Sequence, residues 1–381
     1  MLCLDNTIIM QLDLAMPIAL CLVVLAALIL SKRLGDKLTE TAEQKEFKTR
    51  DVLLLVGFIL TMVSVMAYAS TINSGGIFEN ALLIFFLCTH TTLLFTFTHT
   101  FSNMTKSRVQ LISIGFGTAA IIAGLVSLTG PFSDTYTIYR TIAFFGLATF
   151  CFGVTVFEQQ RKTTKNGRWY MAAQPSSLFV LLFLFFNVLY KGVTQIWYPY
   201  LLDVFAFTFV IFMIIYIAPL FSWKSACVFA VLLTLIDICL VFIGPMVTVA
   251  NTFTDLGIPA MVYLPNVPIV TQDTGSLLFR GLGLGDFFFA GVLAVQTFNK
   301  FGKKTALVSI VSMSVAFGVW GLFMLDLKEV LNIGGLPATV CIISGWIPIA
   351  VYKWFTTKNK SVSPTHITLP VETTNEQRPS Q

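Results

Sequence analysis

Charge is what this chain has least of. Asp, Glu, Lys and Arg together make up 11% of its 381 residues, against about 25% in soluble domains. With 56% of the residues hydrophobic, a disordered chain is excluded and a water-soluble globule is nearly so. Paired cysteines are missing too. Cys3, Cys21, Cys88, Cys151, Cys227, Cys239 and Cys341 are scattered, with no Cys-x-x-Cys pair. Most lie in apolar runs, which reads as reduced packing residues rather than a disulfide frame or zinc site. Histidine is rare: His90 and His99 stand nine residues apart, on opposite sides of one helix, and His366 lies near the C-terminal end. Without a His-Glu-x-x-His pattern, no metal site is expected. There is no nucleophile elbow or phosphate loop, and Gly281-Leu282-Gly283 lacks the strand and βαβ setting of a nucleotide fingerprint. No cofactor and no nucleic-acid partner are expected.

What the chain does have is apolar length. A helix needs about 20 mostly apolar residues to cross a bilayer. Eleven runs qualify: 14–31, 51–70, 79–101, 109–129, 137–157, 177–194, 200–221, 225–245, 278–298, 305–325 and 335–354. The composition therefore implies an all-α integral membrane protein of about 11 transmembrane helices, with the lipid bilayer as its main partner. The first run follows Asp5 and Asp13 rather than basic residues and has no small-residue cleavage pattern. It is read as a retained span, not a signal peptide.

Alternating the connections between the two sides separates the basic residues. Twenty of the 24 Lys and Arg fall on one side and only Lys191 and Lys328 on the other, with Arg140 and Arg280 inside spans. The positive-inside rule then puts the N-terminus outside and the C-terminus in the cytoplasm. Dropping one span would scramble this split. The basic stretch 32–50 is a topology determinant facing anionic lipid and can be partly helical. Asn103-Met104-Thr105 fits a glycosylation sequon but falls on the cytoplasmic side. No internal repeat is evident.

Ionisable groups inside spans are costly and mark functional candidates. Arg140 and Asp203 lie near the outer surface, where snorkelling or structural hydrogen bonding explains them. Asp237 and Asp286 lie deeper. Each is about eight residues from the outer end of its span, roughly 12 Å below the surface at 1.5 Å per residue. Two neighbouring spans with one Asp each at the same depth can bring the carboxyls together. Such a pair shares one proton. The ionised member can activate water while the protonated one polarises a carbonyl. Just before Asp286 runs Arg280-Gly281-Leu282-Gly283-Leu284-Gly285. Alternate glycines are a poor way to build a plain helix. They permit close approach of another backbone, or local unwinding.

Here the chain resembles the Gly-x-Gly-Asp intramembrane aspartyl proteases, presenilin and signal peptide peptidase, and is most similar to their archaeal members. Gly283-Leu284-Gly285-Asp286 matches the motif of the second catalytic helix, and Asp237 the first catalytic aspartate, with Ile236 where the family usually has Tyr. Leu336-Pro337-Ala338-Thr339 resembles the Pro-Ala-Leu motif that opens the family's last helix, with Thr339 replacing Leu. Gly257-Ile258-Pro259-Ala260-Met261-Val262-Tyr263-Leu264-Pro265 is similar to an apolar segment of the loop between the catalytic helices. In the family this segment is thought to engage substrate as an added strand. The residues 198–354 carry the resemblance.

The resemblance implies a nine-helix core with about two extra N-terminal helices. It divides the chain into 1–78 (extra helices and basic loop), 79–355 (protease core) and 356–381 (disordered cytoplasmic tail). It implies aspartic endopeptidase activity on transmembrane peptides. Signal peptides and type II membrane segments would be the substrates in the deduced orientation, and the archaeal likeness implies a prokaryotic or archaeal cell membrane as the location. Asp237 and Asp286 would be catalytic. Gly283, Leu284, Gly285, Leu336, Pro337, Ala338, Met261 and Val262 would bind substrate or shape the site. An ion-coupled secondary transporter with a Gly-broken helix is the main alternative, although it calls for an inverted repeat. A prepilin-type peptidase shares the Gly-x-Gly-Asp idea, but Phe287-Phe288-Phe289 fits presenilin-type helices better. A non-catalytic scaffold is a further alternative. The oligomeric state is not legible.

Overall fold

The computed structural model describes residues 13–41, 47–71, 77–101, 106–129, 136–160, 174–189, 196–243, 245–268, 279–323 and 336–361. The protein is an integral, multi-pass α-helical membrane protein. In chain order the helices are α1 (Ala15–Thr41), α2 (Thr49–Thr71), α3 (Ile77–Phe101), α4 (Lys106–Thr129) and α5 (Tyr136–Gln160). Then come α6 (174–182, continued by a π-helical stretch Phe183–Leu189) and a second π-helical stretch, Ile196–Leu201, that leads into α7 (Leu202–Ile217). α8 (Trp223–Ile243) and α9 (Pro245–Leu256) precede a hairpin of β1 (Met261–Pro265) and β2 (Phe279–Gly283). α10 (Leu284–Phe301), α11 (Lys303–Leu322) and α12 (Ala338–Ser361) complete the chain. Among the described residues, four helical stretches are long and apolar enough to cross a membrane: Trp197–Leu220, Trp223–Phe242, Lys303–Leu322 and Ala338–Thr356.

The helices obey membrane physics. An unbonded hydroxyl is expensive in hydrocarbon. In threonine-rich α3, the hydroxyls of Thr89, Thr91, Thr92, Thr96 and Thr98 each donate to the carbonyl four residues back, at 2.6 to 2.8 Å. Large apolar side chains such as Leu54, Phe58, Leu111 and Val231 face outward, as lipid-facing residues do.

The central helix is α10. It packs against α1, α7, α8, α11 and α12, and every residue from Phe287 to Thr297 is buried. A helix apolar on all sides must be enclosed. Its two polar groups there are satisfied: Gln296 donates to the Ala218 carbonyl at 3.0 Å, and Trp346 Nε1 donates to Thr297 Oγ1 at 2.9 Å. The helices α1 and α2, expected as additions to a core, pack directly on these elements. α1 lies against α7, α10, α11 and β1, and α2 against α8 and α9. The α4–α5 pair, by contrast, packs mainly on itself.

α11 and α12 pack backbone to backbone at Gly345. A Cβ there would stand 2.4 Å from the Ser312 carbonyl oxygen and 2.8 Å from Met313 Cα, and Ser312 Oγ donates to the Gly345 carbonyl at 2.7 Å. Backbone cannot yield as a flexible side-chain end does. Gly345→Ala is expected to destabilise the protein by about 1–3 kcal/mol, read as a lowered melting temperature in detergent.

Three boundaries differ from the apolar runs. The run 278–298 is not helical from its start: residues 279–283 are strand and the helix begins at Leu284. Asp286 is therefore in the first turn of α10, not two turns in, and the depth arithmetic built on a longer helix does not hold. The connection after α8 contains a helix, α9, that its length and apolar content did not announce. Pro245 suits a first helical position, Val249 is buried, and Phe253 stacks edge-on with Phe86 of α3. Gly257 ends α9 with φ of 61°, and the Ile258 amide donates to the Phe253 carbonyl at 3.1 Å, a Schellman closure. Finally, α12 continues to Ser361, past the expected start of the tail at 356. Residues 362–381 lie outside the described ones.

Candidate active site

The hairpin sets the geometry. β1 and β2 are antiparallel, pairing Met261 with Gly283, Val262 with Leu282, Tyr263 with Gly281, Leu264 with Arg280 and Pro265 with Phe279. The Tyr263 amide donates to Asp203 Oδ1 of α7 at 2.7 Å, so it points away from β2. Polar groups alternate in direction along an antiparallel strand. Tyr263–Gly281 and Met261–Gly283 are therefore the non-hydrogen-bonded pairs, and both glycines turn their N–H and C=O to the outer edge of β2. The Leu284 amide, donating to the Ala260 carbonyl at 3.0 Å, keeps this alternation. Asp203 and α7 close the outer edge of β1. Gly281 and Gly285 are exposed on the β2 side.

Asp203 thus has a structural task. It is buried, and its partner amide has nowhere else to turn. Asp203→Ala is expected to cost about 1–3 kcal/mol by leaving the Tyr263 amide buried and unpaired, seen as a lower melting temperature.

Gly281 is explained by its cross-strand neighbour. A Cβ there would meet the Tyr263 ring at 2.9 Å and Met261 Cε at 3.1 Å. Tyr263 in turn packs on Tyr198, with ring centroids 5.0 Å apart, and bonds Thr254 through its hydroxyl. The hairpin is also held from the N-terminal side. The Leu14 amide donates to the Val267 carbonyl at 2.9 Å, and the Ala15 amide to Asp13 Oδ1 at 2.9 Å. Burial raises the Asp13 carboxyl above its ordinary range, while the Ala15 amide and the charge of Arg280 on β2 act against that.

Gly283 is the N-cap of α10 and Asp286 its third residue. That is capping-box spacing, in which the third residue reaches back to the cap amide. The Asp286 carboxyl does so toward the Gly283 amide. Asp237 is on α8, half-buried. Its Oδ2 accepts two hydrogen bonds from one residue, from the Thr339 amide at 3.1 Å and from Thr339 Oγ1 at 2.7 Å. Thr339 is the second residue of α12, where the backbone amide has no partner within the helix.

The structure brings Asp237 and Asp286 within electrostatic reach of each other. The buried Cys341 thiol, half a turn beyond Thr339, is in reach of both. Gly283, Leu284 and Gly285 lead from the strand to Asp286. Leu336, Pro337 and Ala338 open α12 beside Asp237, with the Pro337 carbonyl accepting from the Val340 amide at 3.1 Å. Met261 is half-buried opposite Gly283, its Sδ accepting from the Tyr263 hydroxyl at 3.3 Å. Val262 is fully buried, so it supports the strand from the core. Asp203 stands apart from the two carboxyls, on the far edge of the hairpin, and the side chain of Arg140 lies outside the described residues. His90 is a packing residue: its ring nitrogens face the carbonyls of Phe86 at 3.0 Å and Pro259 at 3.3 Å, and Phe209 packs edge-on at 4.4 Å between centroids. Among the described residues, no three His, Cys, Asp or Glu side chains cluster as a metal site would require, and the six described cysteines are free.

Thr339 was not singled out from the sequence except as a departure from a motif. A signal existed: a hydroxyl residue one position into an apolar helix can serve a buried carboxylate with both its amide and its side chain. No family model matches the chain, and neither the curated proteins nor the solved structures contain a significant match to it.

Proposed function

We propose that this protein is an intramembrane aspartic endopeptidase of the presenilin and signal peptide peptidase type, cutting transmembrane peptide segments with Asp237 and Asp286. The observation that supports this reading is that two carboxyls, one on α8 and one in the first turn of α10, stand within electrostatic reach of each other beside an edge of β2 that no strand among the described residues covers. An ionised and a protonated carboxyl suffice for hydrolysis. One carboxylate takes a proton from water as the water oxygen attacks the scissile carbonyl carbon. The other carboxyl gives its proton to the carbonyl oxygen. The resulting diol then breaks its C–N bond, the nitrogen receives the first proton, and the second carboxyl regains its own.

The substrate must be unwound, because helical carbonyls are already bonded. An added strand on the outer edge of β2 would hold it extended, with the outward N–H and C=O of Gly281 as partners, since the Gly283 amide is taken by Asp286. That edge runs straight into Asp286. The reading also includes a nine-helix core with further helices, a cytoplasmic C-terminus, and signal peptides or type II segments as substrates. The test is cleavage of labelled transmembrane peptides, in both orientations, by detergent-purified protein with products mapped by mass spectrometry. A cut within the apolar segment is expected. No cut across the panel would overturn the reading and favour ion-coupled transport, which ion-binding measurements would then address.

A further inference from the structure

The geometry points to Thr339 as a positioning residue that assigns the two acid–base roles: it holds Asp237 as the carboxylate that takes the proton from water and leaves the shared proton on Asp286. This inference rests on the protease reading. Its own ground is the hydrogen bonding of Asp237 Oδ2. The Thr339 amide can only donate, and it meets that oxygen at 3.1 Å while the hydroxyl meets it at 2.7 Å. An oxygen that receives two donors has no place for a proton of its own, and donors held on Oδ2 favour the ionised form of the whole carboxyl over one protonated on Oδ1. Thr339 is itself 2% exposed, so water does not compete for the hydroxyl. Asp286 receives the Gly283 amide and lies within electrostatic reach of Asp237. Two donors on one carboxyl against one on the other break the symmetry of the pair. The free Oδ1 of Asp237 is then the base.

Among the described residues, the titratable groups within electrostatic reach of Asp237 are Asp286 from α10 and the Cys341 thiol from α12, and its hydrogen-bond donors are those of Thr339. Neither of the first two is a donor cation that could replace the lost bond. Leu, the residue that the motif has at this position elsewhere, would supply the amide without the hydroxyl.

The experiment compares pH–rate profiles of wild type, Thr339→Val and Thr339→Ser. Removing the hydroxyl is expected to lower kcat about tenfold at neutral pH, the scale of one hydrogen bond to a charged group. The acid limb of the profile should move to higher pH by about one unit, with KM within about twofold and Ser restoring both. A merely structural role would lower the rate equally at all pH, raise KM, or resist rescue by Ser, and any of these overturns the inference. If Thr339→Val does not fold, Thr339→Ala carries the comparison. A second readout needs no turnover: the infrared carboxyl band of Asp237, titrated in Asp286→Asn with and without the Thr339 hydroxyl. An unmoved midpoint overturns the inference. Failure of wild type to cut any peptide would remove the protease reading, while a shifted midpoint would still establish the Thr339 contact as a control on Asp237.

Discussion

Asp286→Asn is expected to abolish peptide-bond cleavage, by roughly 10³-fold or more, while elution and melting in detergent stay as in wild type, and Asp237→Asn is expected to do the same. Asn has nearly the shape of Asp. At 237 its carbonyl oxygen can still accept from the Thr339 amide and hydroxyl, which both bond one oxygen of Asp237. At 286 it can still accept from the Gly283 amide. The bonds that position each side chain therefore survive. What is lost is the ability to take or give a proton, worth about 10²–10⁴ for a single acid–base group. Two groups that act as a unit lose almost everything with the first, so the double variant should be no slower than either single one. In wild type the rate should fall on both the acid and the base side, because the pair must hold one proton and not two or none. A folded single variant with full rate would sink the pair, and so would a rate flat between about pH 4 and 9.

Much of this frame was legible in the sequence, for reasons tied to single residues. Apolar runs of bilayer length gave the helical membrane class, because backbone polar groups in lipid leave few other solutions. Asp237 and Asp286 stood out because a carboxyl in a span is costly. The alternating Gly281, Gly283 and Gly285 signalled a break in the helix, and the break is there, as β2 and the N-cap at Gly283. Its form was not legible. Strand 279–283 exists because strand 261–265 pairs with it and Tyr263 lies over Gly281, and such a contact joins residues far apart in sequence. The same holds for Asp203, whose partner is an amide 60 residues away. It holds most of all for Thr339, 102 residues from Asp237. The position of α1 against α10 was hidden as well, since an apolar stripe does not say which helix it will face.

Gly285→Leu should separate catalysis from folding more cleanly than any change at the carboxyls. A Cβ built on Gly285 meets nothing within 4 Å, whereas one on Gly345 meets backbone at 2.4 Å. Gly285 is the second residue of α10, and its φ is not in the left-handed range that favours glycine. Leu is a better helix former than Gly by roughly 0.5–1 kcal/mol, so the variant should melt at or slightly above the wild-type temperature. The space it fills is the approach to Asp286 from the outer edge of β2. If an extended substrate lies there, the new side chain takes its place, and kcat/KM should fall about 100-fold or more, as misplacement of the reacting groups by about 1 Å does. Gly285→Ala, with one methyl group, should fall between Leu and wild type. Steady-state kinetics on the labelled peptide, beside melting curves of the same preparations, check both halves. Wild-type kcat/KM in a well-folded Gly285→Leu protein would mean that the substrate backbone reaches Asp286 from another side, and the outer edge of β2 would lose its assigned role even if both carboxyls keep theirs.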